Sequence, residues 1–137
     1  MNERVLVVED SAYQRARIRE CLEPTFDVVA EAADGETAVE RFREHDPDAV
    51  TMDFALPVQD GPAATAEIKA IDPSAVVVFC SCVTQQAQLK RAVRAGADDY
   101  VHKPFDDGDL ASTLRGSLAP PTAEAEQADS TSDPEID

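Results

Sequence analysis

Five side chains able to take part in chemistry stand where apolar runs stop. Glu9 and Asp10 follow RVLVV, Asp53 closes AVTM, Ser81 closes AVVVFC, and Lys103 comes directly after DYVH. Singly, each has an ordinary explanation: an acid beside a helix cap, a polar strand end, a solvated lysine. Jointly they are three carboxylates, one hydroxyl and one amine, and that set shares a chemistry. Carboxylates gathered within about 4 to 6 Å repel one another by roughly 1 to 4 kcal/mol per pair, which a hard divalent cation relieves. Mg²⁺ suits such a site, because it takes carboxylate, carbonyl and water oxygens and is commonly shared with phosphate. A carboxylate oxygen can attack phosphorus to give an acyl phosphate. An amine and a metal would neutralise the transferred group, and a hydroxyl would donate to it.

These residues meet only if the segments before them lie side by side. Short β-branched runs at Arg4–Glu9, Phe26–Glu31, Ala49–Asp53, Ala75–Ser81 and Asp99–His102 predict five strands. Five amphipathic stretches separate and follow them, marked by Ile18, Cys21 and Leu22; Ala38, Val39 and Phe42; Ile68 and Ile71; Leu89, Ala92 and Val93; Leu110, Leu114 and Leu118. Ser11 can cap the first helix, Asp34-Gly35 and Asp60-Gly61-Pro62 precede the second and third, and Gly96 follows the fourth. Strict (βα)5 alternation with strands apolar on both faces implies an α/β fold, a doubly wound three-layer sandwich around a parallel sheet. Ligands of such sheets collect at the carboxyl ends of the strands, near the switch in strand order. All five chemical side chains belong to those ends.

The chain has 137 residues, enough for one domain with a full core. Its net charge is −16; six of the 28 acids and no base lie from Ala119 on, so residues 1–118 carry 22 acids against 12 bases, or −10. A surface of this sign repels phosphate backbones and anionic membranes, so neither nucleic acid nor membrane is an expected partner. Nine arginines against three lysines, among so many acids, resemble proteins of salt-loving microbes. Cys21, Cys80 and Cys82 have no ligand spacing, sit in apolar stretches and read as reduced core thiols of a cytoplasmic protein. No signal peptide or membrane span is expected. The segment APPTAEAEQADSTSDPEID, residues 119–137, has lost apolar periodicity and reads as an acidic, disordered tail to the domain 1–118.

The stretches VLVVEDS, MDFALPVQDG, FCSCVTQQ and AGADDYVHKPF, with the spacings between them, resemble the receiver domains of two-component response regulators, the CheY-like family, from Arg4 to about Leu118. The resemblance implies strand order 2-1-3-4-5 and makes Asp53 the phosphorylated residue. Glu9 and Asp10 match the acidic pair, and Asp10, Asp53 and the Ala55 carbonyl would hold Mg²⁺, with Glu9 reaching it through water. Ser81 matches the switch hydroxyl, Lys103 the phosphate-pairing lysine, and Tyr100 the aromatic that swings inward when Ser81 moves; Lys103-Pro104 matches a cis peptide. Cys82 departs from the small residue usual after the switch hydroxyl and is expected to crowd Tyr100. Phe54, Ala55 and Val83 flank the site, the last two at positions that influence dephosphorylation in the family. By the same resemblance the phosphodonor is a histidine kinase and the output is a downstream effector protein, bound by the fourth-helix, fifth-strand and fifth-helix face. A stand-alone receiver is expected, since no output domain follows, as a monomer or weak dimer in chemotaxis, a phosphorelay or a phosphate sink. It would be no enzyme beyond its own phosphorylation and dephosphorylation.

Three other readings meet opposition from the residues. A flavodoxin-like carrier needs a phosphate loop rich in Ser, Thr and Gly after the first strand, where EDSAYQR offers two acids. A phosphatase of the haloacid dehalogenase type needs a second Asp two residues after the nucleophile, where Ala55 stands. A degenerate receiver that binds partners without phosphorylation is opposed by the presence of all five key side chains, although Cys82 could impair switching. His45 reads as a solvated helix end, His102 as a packing or surface residue, and Gly96–Asp99 as a helix stop and turn.

Overall fold

Five strands and five helices alternate in a computed structural model that describes residues 2–82, 84–106 and 108–119. The strands are β1 Arg4–Val8, β2 Asp27–Ala32, β3 Ala49–Met52, β4 Val76–Ser81 and β5 Asp99–His102. All pairings are parallel, in the order β2-β1-β3-β4-β5. The helices are α1 Ala12–Leu22, α2 Gly35–His45, α3 Gly61–Ile71, α4 Gln86–Ala95 and α5 Asp109–Leu118. Alternation along each strand divides the interior into two cores. Leu6, Val8, Val50, Met52, Val77 and Phe79 pack with α2, α3 and α4 on one face. Val5, Val7, Ala49, Val78, Cys80 and Val101 pack with α1 and α5 on the other. Both faces of the sheet are therefore dry, as the unbroken apolar runs predict.

Helix starts follow the capping residues. The Ser11, Asp34 and Asp60 side chains accept from the backbone N–H of Gln14, Thr37 and Ala63, which satisfies one orphan donor at each of α1, α2 and α3. Gly96 ends α4 at φ 115°, a left-handed angle that glycine adopts without a Cβ clash. Beyond that stop, the Asp98 carboxylate accepts from the Val77 N–H and from Lys69 Nζ, both at 2.8 Å, so this acid joins α3 to β4 and serves the turn expected there.

One expectation about the thiols needs correction. Cys80 is buried on β4, but Cys21 is only partly buried and Cys82 is exposed. Cys82 follows the last residue of β4, where the chain leaves the sheet, so apolar neighbours in sequence do not enclose it. Val83 and the segment from 120 onward lie outside the described residues. Among the described residues no helix is long and apolar enough to cross a membrane.

Candidate functional site

The sheet ladder itself places the candidate residues. β1 ends at Val8 and β3 at Met52, one residue earlier than the sequence predicts, and these two are register partners. Glu9 and Asp53 are the next residues, yet their backbones still donate to neighbouring strands, Glu9 N–H to the Ala32 carbonyl at 3.0 Å and Asp53 N–H to the Val8 carbonyl at 3.2 Å. On the other side Ser81 pairs with His102, and Lys103 N–H donates to the Ser81 carbonyl at 2.9 Å. Glu9, Asp53, Ser81 and Lys103 thus have backbones held by the sheet, and Asp10 follows Glu9 just past it. β1 lies between β2 and β3, so the carboxyl ends of β1 and β3 form the switch point where ligands collect.

Glu9, Asp10 and Asp53 come together there, each offering a carboxylate oxygen within 4.8 Å of the others. Glu9 is 1% exposed and Asp53 9%, whereas Asp10 faces solvent. Phe54 N–H donates to Asp53 Oδ1 at 2.8 Å. Lys103 Nζ lies 2.6 Å from Glu9 Oε1, 2.6 Å from Gln14 Oε1 and 3.6 Å from Asp53 Oδ2. Three hard oxygen donors with one side open to water fit Mg²⁺. Ala55 lies exposed in the loop two residues past Asp53. Burial raises the pKa of Glu9; the Lys103 hydrogen bond works against that, and the Asp53 charge adds to it. For Lys103, burial acts to lower the pKa, but the hydrogen bond to Glu9 and the charges of Asp53 and Glu9 prevail and raise it. The amine is a cation in this setting.

The loop after Asp53 returns tightly to it. A Cβ on Gly61 would stand 2.1 Å from the Asp53 carbonyl oxygen, so only glycine allows α3 to begin against Asp53. Gly61 N–H donates to the Phe54 carbonyl at 2.9 Å and closes the loop. Val58, at its exposed crest, holds φ 69°. Asp60 pairs with Arg91 of α4 at 3.0 Å, and that guanidinium lies 5.5 Å from the Phe54 ring centre.

Ser81, 2% exposed, ends β4 on the same edge and is hydrogen bonded with the Tyr100 hydroxyl. The Tyr100 ring stacks on Phe79 with centres 6.4 Å apart. Burial raises the Tyr100 pKa, and the Ser81 bond offsets part of it. Tyr100 also lines an apolar groove with Leu89, Ala92, Val93 and Ala97 between α4 and β5, where Val93 is 69% exposed. Lys103-Pro104 is cis. His45 ends α2 and His102 is exposed, both outside the cluster.

Two participants had no signal in the sequence. Gln14, in the first turn of α1, is one of many polar residues on an exposed helix face, and Lys103 lies 89 residues away. Arg15 donates to the Glu9 carbonyl at 2.8 Å and to Glu31 Oε1 at 2.9 Å, which ties the β1–α1 turn to β2. A salt-bridging arginine is invisible until both partners are placed.

A family model described as the response regulator receiver domain matches residues 5–115. The chain is 46% identical over 105 residues to the chemotaxis protein CheY of Halobacterium salinarum, covering 77% of this chain and 88% of that one. It is also 46% identical over 106 residues to CheY of Bacillus subtilis, again covering 77% and 88%. A crystal structure of a CheX-CheY-BeF3-Mg²⁺ complex from Borrelia burgdorferi contains a chain 26% identical to this one, with a TM-score of 0.81 over 86% of this chain and 90% of that one. A family model spanning most of the chain, and relatives that share this much of their length with it, establish that the chain belongs to the CheY-like response regulator receiver domains of two-component signalling.

Proposed function

We propose that Asp53 accepts a phosphoryl group from the phosphohistidine of a histidine kinase, and from small acyl phosphates, and that this charge change alters a protein-binding face. The carrying observation is the cationic Lys103 poised 2.6 Å from Glu9 and 3.6 Å from Asp53, beside three clustered carboxylates. Asp10, Asp53 and the Ala55 carbonyl would hold Mg²⁺, with Glu9 acting through water. When bound, the ion supplies neutralisation of the phosphoryl oxygens. The Borrelia burgdorferi complex, which contains BeF3 and Mg²⁺, supports a metal and a phosphoryl group on this fold.

The chain's own residues supply the rest. Phe54 N–H holds Asp53 Oδ1, which leaves Oδ2, on the Lys103 side, to attack phosphorus. An oxygen–phosphorus bond forms as the donor's phosphorus–nitrogen bond breaks, and the imidazole nitrogen keeps the electron pair. With an acyl phosphate the leaving group is the carboxylate. Lys103 closes on one phosphoryl oxygen, and Ser81 donates its O–H to another. The new group carries about −1.5 to −2 charge. Ser81 can still accept from Tyr100 while donating to phosphate, so its movement draws Tyr100 with it. Tyr100 lines the α4–β5 groove, and that groove, with α5, is the face an effector protein reads. The chain modifies only itself and turns over no other substrate.

Intact mass after incubation with acetyl phosphate and Mg²⁺ tests the assignment. One phosphoryl adduct is expected on the unaltered chain, and none on Asp53→Asn or with a chelator. An unaltered chain that gains no mass from any donor overturns the reading.

A further inference from the structure

We infer that Gln14 is a positioning residue of the phosphoryl site: its side-chain oxygen fixes one N–H of Lys103 and so reserves another for the group carried by Asp53. The inference rests on the proposed role of Asp53 and deepens it. An ammonium has three N–H donors. Lys103 spends one on Glu9 Oε1 and one on Gln14 Oε1, each at 2.6 Å, so one remains. Asp53 Oδ2, at 3.6 Å, is beyond the reach of about 2.7 to 2.9 Å typical of a charge-assisted bond. A phosphoryl oxygen on Asp53 enters that gap and meets the unspent donor.

Both anchoring oxygens depend on one turn. Ser11 N–H donates to Glu9 Oε2, and Ser11 Oγ accepts from Gln14 N–H, each at 3.2 Å. The capping serine therefore sets the two acceptors in place together. The lysine stem has four rotatable carbons and holds no direction by itself, and with Glu9 as its only partner the ammonium could swing about that single contact. Gln14 supplies a second contact. An amide oxygen does so without a fourth negative charge beside Glu9, Asp10 and Asp53, so the anchor does not add to the repulsion a phosphoryl group meets. Gln14 is exposed, which makes it open to substitution without opening either core.

The experiment compares the unaltered full chain with Gln14→Leu, which lacks the acceptor, and Gln14→Glu, which returns an oxygen at the same reach. Beryllofluoride affinity in Mg²⁺, the acetyl phosphate reaction rate and the NMR signal of the Lys103 ammonium are measured for each. Gln14→Leu is expected to weaken beryllofluoride binding and slow phosphorylation by about 3- to 10-fold, the loss of one partly exposed bond to a charged donor. Its Mg²⁺ affinity and melting temperature should stay at the unaltered values, while the ammonium signal is lost to solvent exchange. Gln14→Glu should restore that signal, while its added negative charge keeps beryllofluoride affinity below that of the unaltered chain. A leucine variant matching the unaltered chain in affinity and signal overturns the inference, and so does a glutamate variant with no signal restored. An unaltered chain that takes up neither beryllofluoride nor phosphoryl group overturns the Asp53 assignment, and this inference with it, a result distinct from any difference between variants.

Discussion

Val58 holds a backbone angle that its side chain resists. At φ 69° a β-branched residue brings its Cβ substituents against its own carbonyl, and such left-handed positions cost on the order of 1 to 3 kcal/mol. The side chain is 77% exposed, so packing returns little of that. Asparagine tolerates the left-handed region, and Val58→Asn is expected to raise unfolding free energy by about 1 kcal/mol in denaturant titration; an unchanged or lower value would show that the strain is relieved elsewhere. The position also marks a limit of sequence reading. Valine in a loop gives no sign of a left-handed angle, because its local preference is for strand. Asp53, Glu9, Asp10, Ser81 and Lys103 were legible because each interrupts or ends an apolar run and so declares which end of the sheet it occupies. Gln14 was not, because what distinguishes it is a partner brought close only by the fold. Cys82 misled for a related reason: apolar neighbours in sequence say nothing about a residue just past a strand end.

Between elements, α1 is joined to β2 by charge. Glu31 accepts from Arg15 at 2.9 Å and also pairs with Arg19, whose Nε bonds Glu23. Burial acts to raise the Glu31 pKa, but the hydrogen bonds from Arg19 and Arg15 outweigh it and the net pKa lies below the ordinary 4.5. A depressed carboxylate pKa contributes stability that is present above the unfolded value and is lost as pH falls through the folded one. Glu31→Gln should therefore lower unfolding free energy by about 1 kcal/mol at neutral pH, a modest figure because the pair is partly exposed. Its deficit against the unaltered chain should shrink as pH falls below 4.5, followed by urea titration across the series. A deficit that holds constant into acid would mean Glu31 acts through packing. The element order, both cores and the three aspartate and serine caps were legible in apolar spacing and capping residues; the strand ends at Val8 and Met52 were overrun by one residue, since an acid that continues the backbone ladder looks like part of the strand.

Over the whole molecule the charge of −16 sets the conditions under which the fold is most stable. Self-repulsion opposes the compact state, and raising salt from about 0.1 to 1 M shortens the screening length from roughly 10 to 3 Å. The melting temperature of the full chain is expected to rise by about 5 °C or more across that range in KCl, with sucrose at matched osmolality giving a smaller shift. A melting temperature that is flat or falls with KCl would show that paired charges, such as Glu31 with Arg15 and Arg19, outweigh the repulsion.

The division of the interior into two cores carries one more consequence. Sliding β3 by a single residue would exchange Val50 and Met52 with Ala49 and Thr51, forcing large side chains into space built for small ones on one face and leaving voids on the other. That interlock denies the strands any freedom to shuttle a message lengthwise. Because Asp53 and Lys103 are fastened by main-chain bonds to this frame, the proposed phosphoryl group would make itself felt elsewhere through torsion of side chains and yielding of loops.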